Sequence, residues 1–148
     1  MHEILLRGKR IDNGEWIEGA YCKHDTVKIC FSSDDPKTKH LIITDGFCDW
    51  GFEPPLTGYE VDPETVGQYT GLKDMNGKRI FEGDIVKAQD NLIFSPFCDG
   101  LVGKVVYIET AFFIEPKDPT KAEYLFNECA VYEVLGNIHD NPELLEAL

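Results

Sequence analysis

The stretch Thr65–Lys87, TVGQYTGLKDMNGKRIFEGDIVK, decides the reading of the fold. Gly71, Gly77 and Gly83 recur there six residues apart, with an Asn-Gly pair and a Glu-Gly-Asp step before an apolar run. A loop that cradles phosphate needs GxxxxGK[ST], or GxGxxG between a strand and a helix. Here Lys78 is followed by Arg79, and strand-like residues follow instead of a helix. Turn chemistry accounts for the glycines, because each stands where a tight turn asks for positive φ. The stretch therefore predicts a short strand or turn over Gln68–Leu72, a tight turn at Asp74–Gly77 and a strand over Lys78–Phe81. A second turn follows at Glu82–Asp84, and a new strand starts at Ile85. Asp84 is of the type that accepts backbone N–H bonds at such a turn.

Outward from this stretch the same logic holds. On the N-terminal side, EILLRGKRI and EWIEGAYC flank Asp12-Asn13-Gly14, and Asn-Gly between apolar stretches is a strong hairpin signal. TVKICF (26–31) and HLIIT (40–44) read as strands. Residues 45–65 show no clean period and read as a long connection, or as the seam between two β units. Asp62-Pro63-Glu64 predicts an N-cap and a single helical turn. On the C-terminal side GKVVYIE, AFFIEP and VYEVLGNI read as strands, with a bend near Thr110. PTKAEYLFNEC fits helix or strand, and Asn141-Pro142 opens a short closing helix. The result is a mainly β protein of eight to ten short strands, a small barrel or sandwich with one or two short helices. The apolar–Glu-Gly-Asp–apolar pattern also resembles the turn-to-strand step of SH3-like barrels. An N-terminal β unit is expected over 1–60 and a barrel-like C-terminal core with a short terminal helix over 61–148, either as two units or as one continuous domain.

The chain has 148 residues, 43% of them hydrophobic, which is a globular composition. Its formal net charge is −13, spread along its length: residues 1–74 carry 8 basic and 14 acidic side chains, and residues 75–148 carry 6 and 13. Gripping phosphate needs clustered Lys and Arg. The only local clusters are Arg7, Lys9 and Arg10, and the pair Lys78 and Arg79, so nucleic acid is a disfavoured partner and these five residues are its only candidate patch. No apolar run is long enough to span a bilayer. The N-terminus lacks the pattern of an export signal, so a cytoplasmic protein is expected.

Cys22, Cys30, Cys48, Cys98 and Cys129 are odd in number and contain no CxxC, which predicts free buried thiols. Cys22, His24, Cys30, His40 and Cys48 form only a loose set. Its tightest pair is Cys-Lys-His, with no second pair downstream, and a structural zinc site usually shows two. Ser32, Ser33 and Ser95 lack a nucleophile context, the histidines lack HExxH, and Asp34-Asp35, Asp62-Glu64 and Asp140-Glu143 read as loop or helix-start acids. No catalytic, cofactor or metal residue is expected, and the protein reads as a non-enzyme. Phe47, Trp50, Phe52 and Tyr59 stand out, because aromatics on an irregular loop either anchor a partner or plug a β structure. Trp50, Phe52 and Tyr59 are the candidate partner-binding residues. Edge strands also leave homo-oligomers open.

Three segments in order, RGKRIDNGEWIEG (Arg7–Gly19), VDPETVGQYTGLKDMNGKRIFEGDIVK (Val61–Lys87) and EVLGNIHDNPELL (Glu133–Leu145), resemble the YopX family of phage and prophage proteins. Residues 20–60 and 88–130 carry little of the pattern. The resemblance implies a phage or prophage origin, a bacterial cytoplasm and a largely β fold ending in a short helix. It brings no catalytic residue to carry over, since the shared motifs consist mainly of turn and apolar positions. The expected role is an accessory interaction module that binds a host or phage protein. The alternatives are a nucleic-acid-binding small barrel or an uncharacterised enzyme built on scattered acids.

Overall fold

A computed structural model describes residues 3–27, 37–49, 51–90 and 100–146. The protein is mainly β; among the described residues the strands lie in two antiparallel sheets, with one α-helix of four residues. Contacts divide the described chain into a first unit, residues 3–68, and a second, residues 69–146.

The first unit begins with the hairpin of β1 (Leu6–Lys9) and β2 (Trp16–Asp25), in which Lys9 lies opposite Trp16. The turn is the one Asn13-Gly14 announces. The Gly14 N–H donates to the Arg10 carbonyl at 3.0 Å, the Arg10 N–H to the Glu15 carbonyl at 2.9 Å, and the Asn13 side-chain Oδ1 accepts the Glu15 N–H at 3.0 Å. β3 (Thr38–Asp45) pairs with β2, and β4 (Leu56–Glu60) pairs with β3. A 3-10 turn at Pro63–Thr65 follows, and the first residues of β5 (Gly67–Lys73) pair with β1, Gly67 opposite Arg7. The order within this unit is β4-β3-β2-β1. The Asp62 cap is as the sequence implies: its carboxylate accepts the Glu64 N–H at 3.0 Å. Ile42 and Val61 are fully buried.

β4 corrects the reading of residues 45–65 as irregular. LTGYE has apolar residues only at Leu56 and Tyr59, three apart, so no two-residue period is visible. Five consecutive pairs with β3, from Leu41–Glu60 to Asp45–Leu56, make it a strand. In TVKICF, Thr26 and Val27 are outside any strand, and residues 28–31 lie outside the described residues. Residues 61–68, through the turn and the Arg10–Val61 bridge, belong to the first unit by their contacts.

In the second unit β5 turns at Asp74–Gly77 into β6 (Arg79–Phe81), and Glu82-Gly83 leads into β7 (Asp84–Asp90). β8 (Val102–Ile108), β9 (Ala111–Glu115), β10 (Glu123–Tyr124) and β11 (Ala130–Asn137) complete a sheet of order β10-β9-β8-β7-β11. A short helix, α1 (Glu143–Glu146), follows Asn141-Pro142. Ile80, Val86, Ala88, Val105, Phe112, Ile114, Leu125 and Tyr132 form the core. Leu125 lies in the stretch whose type the sequence left open. A 3-10 turn at Pro119–Lys121 and the two-residue β10 deliver it to the interior with no exposed surface, a burial worth about 1.5–3 kcal/mol.

The expected barrel is not closed among the described residues. Closure would require β10 to pair with β11. β10 is two residues long, and β11 uses its other side differently. The Tyr132 carbonyl accepts the Met75 N–H at 2.8 Å, and the Val134 N–H donates to the Asp74 carboxylate at 3.2 Å.

Gly71, Gly77 and Gly83 have φ of 89°, 81° and 84°. Gly77 and Gly83 lie in the turns the sequence predicts, whereas Gly71 lies within β5, where the pairing with β6 shifts register between Tyr69 and Lys73. Gly77 gives the cleanest test, since a Cβ added there meets nothing within 4 Å. Gly77→Ala should therefore cost only the left-handed backbone strain, about 1 kcal/mol, in urea denaturation. A variant as stable as the wild type would show that the turn does not need this φ.

Candidate functional site

Two acids that chemistry could have claimed are structural. The Asp84 carboxylate is 1% exposed and accepts the Phe81 N–H at 2.8 Å, which fixes the Glu-Gly-Asp turn. The Asp74 carboxylate accepts the Asn76 and Lys78 N–H groups at 2.8 Å each, as well as that of Val134. Burial pushes the Asp74 carboxyl up, but the N–H donors of Lys78, Val134 and Asn76 outweigh it and hold it below its ordinary value. Such a group stays ionised and holds the chain; it is not poised to exchange protons near neutral pH.

The basic candidates are drawn into their own units. In the first, the Arg7 guanidinium is buried and lies 4.7 Å from the Trp16 ring centroid. The Arg10 Nε donates to Asp12 at 2.9 Å, and its guanidinium sits 4.4 Å over the Tyr59 ring. The hydrogen bond from Arg10 holds the Asp12 carboxyl below its usual range. The Lys9 backbone N–H donates to the Thr65 hydroxyl at 2.8 Å. In the second unit, Lys78 is exposed, while the Arg79 guanidinium lies 5.9 Å from the Tyr69 ring.

The loose Cys/His set is split by register. His40 lies opposite Lys23, so it shares that face, and Cys22 and His24 point to the other. The Tyr21 hydroxyl is hydrogen-bonded to the His40 Nδ1. Cys22, Cys48 and Cys129 are free but only half-buried, where fully buried thiols were expected; Cys30 and Cys98 lie outside the described residues. Among the described residues no three His, Cys, Asp or Glu side chains are grouped to hold a metal.

The aromatic candidates separate. Trp50 lies outside the described residues. Tyr59 is half-buried beneath Arg10. Phe52 is 75% exposed and Phe47 83%, on the loop joining β3 to β4, and Leu56 at the start of β4 is 78% exposed. The loop is closed at its base by the Gly46 N–H donating to the Pro55 carbonyl at 2.7 Å. Neither phenylalanine plugs a core. Residues 45–64 carry six acids, Asp45, Asp49, Glu53, Glu60, Asp62 and Glu64, and no Lys, Arg or His. The signal legible in sequence was the aromatic loop; Leu56 was missed with β4.

The second unit holds a cleft of about 440 Å³ lined by Leu72, Met75, Phe126, Val131 and Tyr132, with Lys73 and Glu128 among its polar members. Its size is within the range of small-molecule pockets. Its lining comes from the turn after β5 and from Phe126–Tyr132, a stretch whose first part the sequence left open between helix and strand; the sequence did not connect the two places.

The chain belongs to the YopX family: the model for the YopX protein matches residues 7–146. No curated protein matches it. No described helix is long and apolar enough to cross a membrane.

Proposed function

We propose that this is a non-catalytic interaction module, of phage or prophage origin and acting in the bacterial cytoplasm, that binds a protein partner through the β3–β4 hairpin. The observation that carries this reading is the exposure of Phe47, Phe52 and Leu56 together on one hairpin. Large apolar side chains held in water at a loop tip gain about 1.5–3 kcal/mol each when a partner buries them. The order β10-β9-β8-β7-β11, in which the last strand returns to the first, supports an SH3-like connectivity for the second unit, drawn open instead of closed. Nucleic acid is the weaker partner, since Arg7 and Arg10 are engaged inside the first unit and the net charge is −13.

The test is capture of partners by the tagged full-length chain from infected or induced cells at low salt, with and without nuclease. A protein should be retained through nuclease treatment. The double variant Phe47→Ser, Phe52→Ser should lose it by about tenfold or more while its urea midpoint stays within about 0.5 kcal/mol of wild type, as for exposed positions generally. Equal capture by the variant would exclude the hairpin. Recovery of nucleic acid alone, lost with nuclease or raised salt, would move the site to the basic residues.

A further inference from the structure

We infer that the outer edge of β4 accepts an extended basic segment of the partner as an added antiparallel or parallel strand. This rests on the hairpin reading above and gives the partner its chemistry. The Val61 N–H donates to the His40 carbonyl, and the Gly46 N–H donates to the Pro55 carbonyl. These bonds flank the pairs Leu41–Glu60 and Asp45–Leu56, making them non-hydrogen-bonded pairs, and alternation makes Ile43–Gly58 another. The backbone N–H and C=O groups of Leu56 and Gly58 therefore point away from β3. β4 is the end strand of its sheet, and no described strand pairs with that outer side. The Glu60 carbonyl accepts the Ile11 N–H at 3.1 Å, which closes one end and leaves the Leu56–Gly58 end open.

The side chains select what can lie there. Leu56, Gly58 and Glu60 share one face of β4. Gly58 leaves a gap between an exposed leucine and a carboxylate. A Cβ placed in that gap meets only Leu41, at 3.7 Å, so an apolar side chain of an incoming strand can rest on Leu41. Residues 45–64, which contain β4 and its loop, carry six acids and no basic residue. An added strand carrying Lys or Arg between apolar residues matches both features; a second copy of this chain would set acid against acid. The Arg10 guanidinium over Tyr59, bonded to Asp12, already places a cation on an aromatic ring beside β4.

The experiment uses fluorescence anisotropy of the full chain with a nine-residue peptide alternating Lys or Arg with Leu or Val. Three comparison peptides accompany it: one N-methylated at alternate residues, one with Glu in place of the basic residues, and one of the same composition with basic and apolar residues in blocks. The alternating basic peptide should bind, and about tenfold more weakly at 0.5 M salt than at 0.05 M. The N-methylated, acidic and blocked peptides should bind at least about tenfold more weakly, since the first cannot donate to the edge and the others mismatch its charge or period. Asp45→Asn, Asp49→Asn, Glu53→Gln together should weaken the alternating peptide by a similar factor. Absence of binding, equal binding of the N-methylated peptide, or indifference to the triple substitution overturns the inference, as does a stable dimer with β4 amides protected in the absence of peptide. If the peptides fail while Phe47→Ser, Phe52→Ser still abolishes partner capture, the hairpin reading stands and strand addition falls. If the peptides bind and that variant captures its partner normally, the hairpin reading falls.

Discussion

Replacing Gly19 by alanine should break the β2–β3 ladder and cost about 3 kcal/mol or more, the upper range for forcing volume into a packed site. Gly19 lies within β2, opposite Leu6 of β1. A Cβ there would stand 2.3 Å from the Ile43 carbonyl oxygen and 3.0 Å from the Ile43 carbonyl carbon and the Ile42 Cγ2. The obstacle is backbone of a neighbouring strand, and not the end of a side chain that could turn aside. Relief therefore requires β3 to move, and Ile42, which is fully buried, moves with it. The readout is the urea midpoint together with hydrogen exchange of the β2 and β3 amides, whose protection should fall. A variant within about 0.5 kcal/mol of wild type would mean that β3 shifts without penalty and that this ladder is looser than its register implies.

Asp74→Ala should destabilise the second unit by about 3 kcal/mol, because it strips the acceptor from three N–H groups in a part-buried site at once. Two of these bonds build the turn after β5, and the third ties that turn to Val134 of β11. Asp74→Asn keeps one acceptor oxygen but sets an amide N–H₂ near donors, so it should cost less, about 1–2 kcal/mol. The pH dependence separates this role from simple packing. The folded carboxyl titrates below its ordinary value of 3.8. A depressed carboxyl contributes fully above the unfolded value and loses its contribution as pH falls through the folded one. The stability gap between wild type and Asp74→Asn should thus be constant from pH 7 down to about 5 and should narrow on further acidification. A gap that stays constant to pH 2.5 would show that the charge is not what holds the turn.

How far the fold was legible varies with the kind of signal. Asn13-Gly14 and Asn76-Gly77 place their turns unaided: Gly14 and Gly77 take φ of 72° and 81°, a conformation glycine adopts at no steric cost, and the short asparagine beside each suits a turn. The turn between β8 and β9 is the counter-example. Glu109 and Thr110 take φ of 47° and 74° without any glycine, so the sequence offered only an approximate bend near Thr110. Asp62 and Asp84 were legible as acceptors for backbone N–H groups, since a short carboxylate at a turn reaches only nearby donors. The third bond of Asp74, to a strand 60 residues away, was not.

The candidate surface shows the same division. The aromatic loop was visible in composition, and its acidity could be counted. Whether Phe47 and Phe52 plug a core or face water depends on what packs beside them, and Tyr59 went the other way, beneath Arg10.

The sequence by itself determined the β class, most strand positions, the turn glycines, the Asp62 cap and the acidity, because these depend on side-chain type and on contacts within a few residues. Tertiary structure alone decided that Leu56–Glu60 is a strand, that Gly19 must lack a side chain, that Leu125 is core and that the second sheet stays open among the described residues. Each of these depends on which distant backbone comes to lie alongside: the β3 ladder for β4, the Ile43 carbonyl for Gly19, β9 for the segment carrying Leu125, and the Asp74–Met75 turn for β11.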